Sequence, residues 1–344
     1  MSEETYVDLY RRLAAEIEAE RNAALDLLGP AAPSVRAAVA ALLDGRTFAY
    51  PLSVLPLIVH AVETGAPEPA LPLAAVHELW WTAACCLDDV ADAQGDYRAG
   101  GLDRDEALLA TAVAGTPLPL LVVQSPRIPP PLRGALSAEV VACWIAAAEG
   151  QLRDLRGDSG GAGRAEVTAV YQGKSGAPFS MVTAMAATLA GAAPGGRRLR
   201  LWRAFGDVFG VLWQLFNDQE DILSGRDEDL RNGTVTYLFA CALEETAPEA
   251  VERVTALHTA AKDSAAARAE LTGILLAPAV LHRYAKDLGE FRDQAHRLLD
   301  ELGGHDAYAR LLRDLVDLSA RMLLSTPDER LRSRPVLRPV APPR

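Results

Sequence analysis

An all-α fold, built as one large helical bundle, is what this sequence predicts, on three observations. Apolar residues recur with helical spacing along nearly the whole chain, strand-like alternation is scarce, and no internal repeat stands out. Ala, Leu and Arg dominate a composition that is 50% hydrophobic but only 6% aromatic, which favours helix. With 344 residues the chain is long enough to bury a sizeable core.

Taken in order, the first amphipathic run, 4–28, is charged and reads as a helix rather than a secretory leader. The turn "LGPAAP" separates it from a run at 34–43; 51–64 follows, and "TGAPEPALP" then precedes the long apolar run 71–93. Further helical runs are expected at 104–114, 135–156, 164–190, 197–224, 234–263, 268–302 and 305–323. Their breaks carry turn chemistry: "QSPRIPPP", "RGDSGGAG" and "GAAPGG". None resembles an interdomain linker, so residues 1–324 are expected to form one helical domain. Residues 325–344, rich in proline and arginine, are expected to be a disordered tail.

Composition excludes some functions. A net charge of −12 argues against nucleic acid as a partner, yet leaves room for a phosphorylated small molecule bridged by a divalent metal. The four cysteines (Cys85, Cys86, Cys143 and Cys241) lack metal-ligand spacing and point to a reducing, cytoplasmic compartment. Two stretches, 71–87 and 177–194, are apolar enough to suggest a bilayer span. His77 and Glu78 interrupt the first, and the second is rich in Ala and Gly. Both read as buried bundle helices, and no stable membrane insertion is expected.

The chemistry lies in carboxylates placed where a buried helix should end. "CLDDVADAQGD" puts Asp88, Asp89 and Asp92 directly after an apolar run. Asp88 and Asp92 stand one helical turn apart on one face, where like charges repel and also oppose the helix dipole. Water could solvate them, or magnesium could bind them, since it prefers a few carboxylate oxygens, several waters and substrate phosphates. A second cluster favours the metal. "VLWQLFNDQEDILSG" again ends an apolar run, with Asn217, Asp218 and Asp221 at matching offsets. Two such helices facing each other would frame a bundle cavity, closed at its mouth by metal and diphosphate. The only lysines are Lys174, Lys262 and Lys286. Lys174 opens an apolar helix, either as a snorkelling surface charge or as a phosphate ligand.

From about residue 40 to 321 the chain resembles the trans-prenyl diphosphate synthases of the class I isoprenoid synthase superfamily. The residues that carry the likeness are Glu78-Leu79, the DDxxD motif Asp88–Asp92, Gly150-Gln151 and Lys174-Ser175. They continue with Trp213-Gln214 and Asn217–Asp221 at the FQxxDDxxD position, then Asp229-Leu230, Gly233 and Thr236. The resemblance implies an isoprenoid synthase bundle around a deep apolar cavity, and three magnesium ions that grip and withdraw the diphosphate of an allylic substrate. It implies Asp88, Asp92, Asn217, Asp218 and Asp221 as metal ligands, with Asp89 beside them. Lys174, Arg98, Gln214, Arg226 and Arg231 would bind the diphosphate, while Trp80, Trp81, Trp213 and Phe216 could line the cavity. Ala83 and Ala84 occupy the positions that set pocket depth, and their small size implies room for a twenty-carbon chain. The family is commonly homodimeric.

Departures from the family bear on function. The isopentenyl diphosphate pocket of chain-elongating members uses GKRxRP, a histidine and an arginine pair. Here those positions hold "GRTFAYP" with Arg46 and Thr47, then Trp81, then Tyr97-Arg98; the GK lysine is Thr234. Losing three charge-assisted hydrogen bonds at about 1.5–3 kcal/mol each removes most affinity for a second diphosphate. Asn217 also opens the second motif as terpene cyclases do, although Gly225 stands where their motif ends in glutamate. The expected activity is therefore a magnesium-dependent terpene synthase acting on a prenyl diphosphate, geranylgeranyl diphosphate by pocket depth. The alternative is a prenyltransferase, either elongating or using another acceptor. A non-catalytic subunit of a heteromeric synthase ranks below both, because the acidic residues are largely kept.

Overall fold

The computed structural model describes residues 4–45, 52–91, 99–156 and 163–325. Asp92 and Arg98 of the expected site, Arg46, Thr47 and Tyr97, and all but the first residue of the expected tail lie outside the described residues. Among those described, every regular element is helical and none is a strand.

The first half contains α1 (Tyr6–Asp26), α2 (Pro33–Asp44), α3 (Leu55–Thr64), α4 (Leu71–Ala91), α5 (Arg104–Gly115), α6 (Pro117–Gln124) and α7 (Pro130–Leu155). A reciprocal capping box starts α1, with the Asp8 amide donating to Thr5 Oγ1 and the Thr5 amide to Asp8 Oδ2. Asp103 and Glu106 repeat the device at α5. The second half contains α8 (Arg164–Tyr171), which passes through a π-helical turn (Gln172–Gly176) into α9 (Ala177–Leu189). Then come α10 (Arg197–Ser224), α11 (Glu228–Asn232), α12 (Tyr237–Glu245), α13 (Val251–Ala261), α14 (Ala265–Leu275), α15 (Pro278–Leu302) and α16 (Asp306–Ser319).

Prolines explain where these elements depart from the expected runs. The run 234–263 divides into α12 and α13 around Pro248, and 268–302 divides into α14 and α15 at Pro278. Pro130 and Pro131, expected in a turn, instead begin α7, since a first-turn proline loses no intrahelical hydrogen bond. The short helices α6 and α11 were not expected from periodicity.

One continuous core runs through both halves. α4 packs on α5, α6 and α1, and α10 packs on α9, α15 and the π turn. α9 joins the halves by touching α3, α4, α7 and α10, and its residues from Pro178 to Thr188 are buried apart from half-buried Ser180. Such closeness requires glycine. A β-carbon on Gly206 would stand 2.5 Å from the Ser180 backbone, and one on Gly210 2.6 Å from Gly176 Cα. A β-carbon on Gly150 of α7 would lie 2.7 Å from the Lys174 amide nitrogen. The π turn is thus held backbone to backbone between α7 and α10. Three helical stretches, 68–90, 104–124 and 130–155, are long and apolar enough to cross a membrane by length and composition, and the first is largely buried here.

Two glycine substitutions should separate. Gly210→Ala forces a methyl into the α10 seam and should cost about 1–3 kcal/mol. Gly289→Ala in α15 meets no atom within 4 Å, and should gain up to about 1 kcal/mol from helix propensity. Denaturant unfolding checks both; equal effects would contradict the packing described.

Candidate active site

The seam delivers Lys174 to the end of α4. Its ammonium lies 2.7 Å from Asp154 Oδ2 of α7 and 3.5 Å from Asp88 Oδ1. Burial disfavours that charge, but the Asp88 and Asp154 carboxylates outweigh it and hold Lys174 above the usual lysine range. The Gln151 amide donates to the same Asp88 oxygen at 2.7 Å. Asp88 keeps a side chain 41% exposed, and a carboxylate has more acceptor positions than these contacts use. Asp89 is half-buried beside it.

The second cluster occupies two faces of α10. Gln214 and Asp218 turn to the π turn: Ser175 Oγ donates to Gln214 Oε1 at 2.7 Å, and Gln214 Nε2 donates to Asp218 Oδ1 at 2.9 Å. The Tyr171 hydroxyl donates to Asp218 Oδ2 and accepts the Tyr237 amide at 3.0 Å. Asn217, half-buried, and Asp221 share the neighbouring face. Asp221 accepts the Glu228 and Asp229 amides at 3.1 and 3.3 Å, which anchors α11. Arg226 stands 3.8 Å from Asp221 with its side chain 53% exposed, and Arg231 is exposed on α11.

Crowded acids raise one another. Burial pushes the Asp218 carboxyl up to about 7, although Tyr171, Gln214 and Lys174 favour its ionised form. Asp229 is raised well above its ordinary value by burial first, then by Asp218 and Asp221. Away from the carboxylates, burial pushes Asp207 up to about 6.

Aromatic rings fill the space one to two turns below. Phe179 of α9 packs edge-on against Trp81 of α4 at 5.2 Å and Phe209 of α10 at 5.2 Å, with Trp213 at 6.1 Å. Phe216 stacks on Trp213 at 6.1 Å. Trp80 turns the other way, 4.8 Å from Trp144, whose indole N–H donates to the Gly115 carbonyl at 2.5 Å. Ala83 is fully buried there, 3.1 Å from where a β-carbon on Gly115 would stand; Ala84 is half-buried.

Asp88, Asn217 and Asp221 carry side-chain oxygens of the kind a hard divalent cation takes. Among the described residues no trio of His, Cys, Asp or Glu is grouped so as to hold a metal ion by itself. Of the residues named from sequence, the fold gathers Asp88, Lys174, Gln214, Asp218 and Asp221. Asp154 and Tyr171 were missed: Gly150-Gln151, one turn before Asp154, was an available signal for the first, and Tyr171 had none.

Comparison with known proteins places the fold. No protein-family model matches the chain, and no curated protein matches it in sequence. Among solved structures, it is similar to geranylgeranyl pyrophosphate synthetase from Pyrococcus horikoshii Ot3, with a TM-score of 0.75 and 19% identity over 92% of this chain and 99% of that one. Polyprenyl synthetase from Streptomyces coelicolor A3(2) gives 0.73 and 20% over 90% and 97%. Geranylgeranyl pyrophosphate synthase from Corynebacterium glutamicum, complexed with isoprenyl diphosphate and magnesium, gives 0.70 and 19% over 89% and 98%. The chain has the all-α fold of these synthases.

A pH dependence follows from the raised carboxyls. Folded Asp218 and Asp207 hold protons at higher pH than the ordinary 3.8, so the native state binds more protons than the unfolded chain in between. Their contribution is fully present below about pH 4 and is lost as pH rises through about 6 for Asp207 and about 7 for Asp218. In chelator, Asp218→Asn should flatten the fall in melting temperature between about pH 5 and 8. An unchanged slope in that variant would count against a proton on Asp218.

Proposed function

We propose that this chain is a class I terpene synthase that ionises an allylic prenyl diphosphate, with geranylgeranyl diphosphate as substrate. The observation that carries the reading is Trp81. It stands where the resemblance places a histidine that binds the second diphosphate, yet its ring packs into the Phe179 cluster. That supports loss of a second diphosphate site while Lys174 and the two acidic clusters keep the first.

Magnesium, bound by Asp88 and Asp92 and by Asn217 and Asp221, would supply positive charge to the leaving diphosphate. Lys174 can exchange its longer contact to Asp88 for a phosphate oxygen while Asp154 continues to hold it. Arg226, 3.8 Å from Asp221, and Arg231 on α11 would add cations from the rim. Trp81, Trp213 and Phe216 would present ring faces to the allylic cation and exclude water from it. The small Ala83 and Ala84 support the twenty-carbon length.

The structural relatives give weight to a second reading, because those compared are prenyl-chain synthases. In it the cation passes to isopentenyl diphosphate or to another acceptor. The chain is also proposed to pair with a second copy through the outer face of α7. There Val141 and Ile145 are 46% and 67% exposed, beside an apolar groove of about 520 Å³ shared with α6.

Given geranylgeranyl diphosphate and magnesium alone, the protein should release inorganic diphosphate and form hydrocarbons or terpene alcohols. Asp88→Ala or chelator should reduce turnover about 100-fold or more. A dominant elongated diphosphate on adding isopentenyl diphosphate would favour the second reading. No turnover with or without it would leave the cyclase reading unsupported. Light scattering tests pairing, with Ile145→Glu expected to be monomeric.

A further inference from the structure

The second acidic cluster divides by helix face, and one of its faces is tied to the π turn. Gly206, Gly210, Gln214 and Asp218 recur every fourth residue, so they form one stripe along α10. Each member meets the chain running antiparallel to it. Gly206 lies against the Ser180 backbone, Gly210 against Ser175 and Gly176, Gln214 against Ser175 Oγ, and Asp218 against the Tyr171 hydroxyl. Asn217 and Asp221 lie on the adjacent face, outside this stripe.

Asp218 is 4% exposed, and each of its oxygens already accepts a protein donor, Gln214 on one and Tyr171 on the other. Tyr171 is fixed in turn, 3% exposed and accepting the Tyr237 amide at 3.0 Å. Tyr171 and Ser175 bracket Lys174 in the chain. Both ends of the π turn that carries the lysine are therefore tied to α10. π turns of this kind are costly and need outside support.

We infer that Asp218 is a positioning residue that, with Tyr171 and Gln214, clamps the π turn and aims Lys174. The inference rests on the proposed diphosphate chemistry for its consequence, but the clamp itself can be tested without turnover. Tyr171 acts through Asp218 and touches no substrate.

The three lysines make the clamp readable by mass spectrometry after brief amine labelling. Lys174 is 19% exposed at its side chain and Lys286 59%, so Lys286 serves as the internal reference. Removing one charge-assisted hydrogen bond should raise local opening about tenfold. Tyr171→Phe should therefore increase Lys174 labelling about tenfold relative to Lys286. The same variant should lower kcat while leaving the half-saturating magnesium concentration unchanged.

Asp218→Asn keeps the size of the side chain and an oxygen for Tyr171, but removes the negative charge, and should likewise raise Lys174 labelling relative to Lys286. Manganese binding in the presence of inorganic diphosphate, followed by electron paramagnetic resonance, should stay within about twofold of wild type in Tyr171→Phe. Unchanged Lys174 labelling in Tyr171→Phe would overturn the clamp. If wild type binds no manganese with diphosphate, the proposed function fails, and Lys174 labelling still decides the clamp.

Discussion

The backbone contact between α10 and the π turn fixes most of what the site contains. Helix axes ordinarily stand about 8–10 Å apart because side chains intervene. At Gly206 and Gly210 the α10 face has none to intervene, and a single methyl there would meet the backbone of the neighbouring segment. Gly150 and Gly173 bring α7 against the other side in the same way. Lys174 leaves the chain between these contacts and reaches both Asp154 and Asp88. A seam wider by an ångström would separate the lysine from its carboxylates and break the Ser175–Gln214 hydrogen bond.

That compression also explains how so many acids coexist at one end of the bundle. Each is relieved by a different device. Asp88 takes the Gln151 amide and the Lys174 ammonium, Asp218 takes Tyr171 and Gln214, and Asp221 takes two backbone amides at the start of α11. Asp218 and Asp229 are further relieved by their raised affinity for protons. Internal donors of this kind cost little reorganisation, since most belong to helices already packed. A divalent cation arriving at the mouth would compete with Lys174 for Asp88, which is both paired and substantially exposed.

Much of this was legible in the chain. The helical class and most element boundaries follow from apolar periodicity, which the fold must satisfy to bury one face of each helix. Joined runs misled where a proline starts a new helix without breaking the pattern, as at Pro278, because periodicity records which residues are apolar and not where the axis turns. The acidic clusters and Lys174 were visible since charge next to a buried run is costly anywhere. Asp154 and Tyr171 were not singled out, for a physical reason. Asp154 ends an exposed-looking amphipathic helix and Tyr171 sits in an ordinary apolar run; only the glycine-mediated closeness of three helices makes them partners of Lys174 and Asp218. Nor does spacing alone tell Asn217 from Asp218, because one residue's offset on α10 changes the face by about 100° and hence the neighbour.

Trp81 ties two features of the proposed chemistry to one substitution. Trp81 stands edge-on to Phe179 at 5.2 Å and to His77 at 6.1 Å, and Phe179 in turn packs on Phe209 and Trp213. Tryptophan, half-buried here, contributes edge-on contacts worth about 0.5–1.5 kcal/mol beyond the area it hides. The same ring removes a donor that a second diphosphate would require and adds a π surface beside the first. A site that loses its means of holding an anionic acceptor, while its wall becomes better at tolerating a cation, favours reactions that the cation completes on its own chain. On this reading the loss of condensation and the gain of cyclisation are not separate adaptations, because the exchange of one polar side chain for an aromatic one pushes both in the same direction.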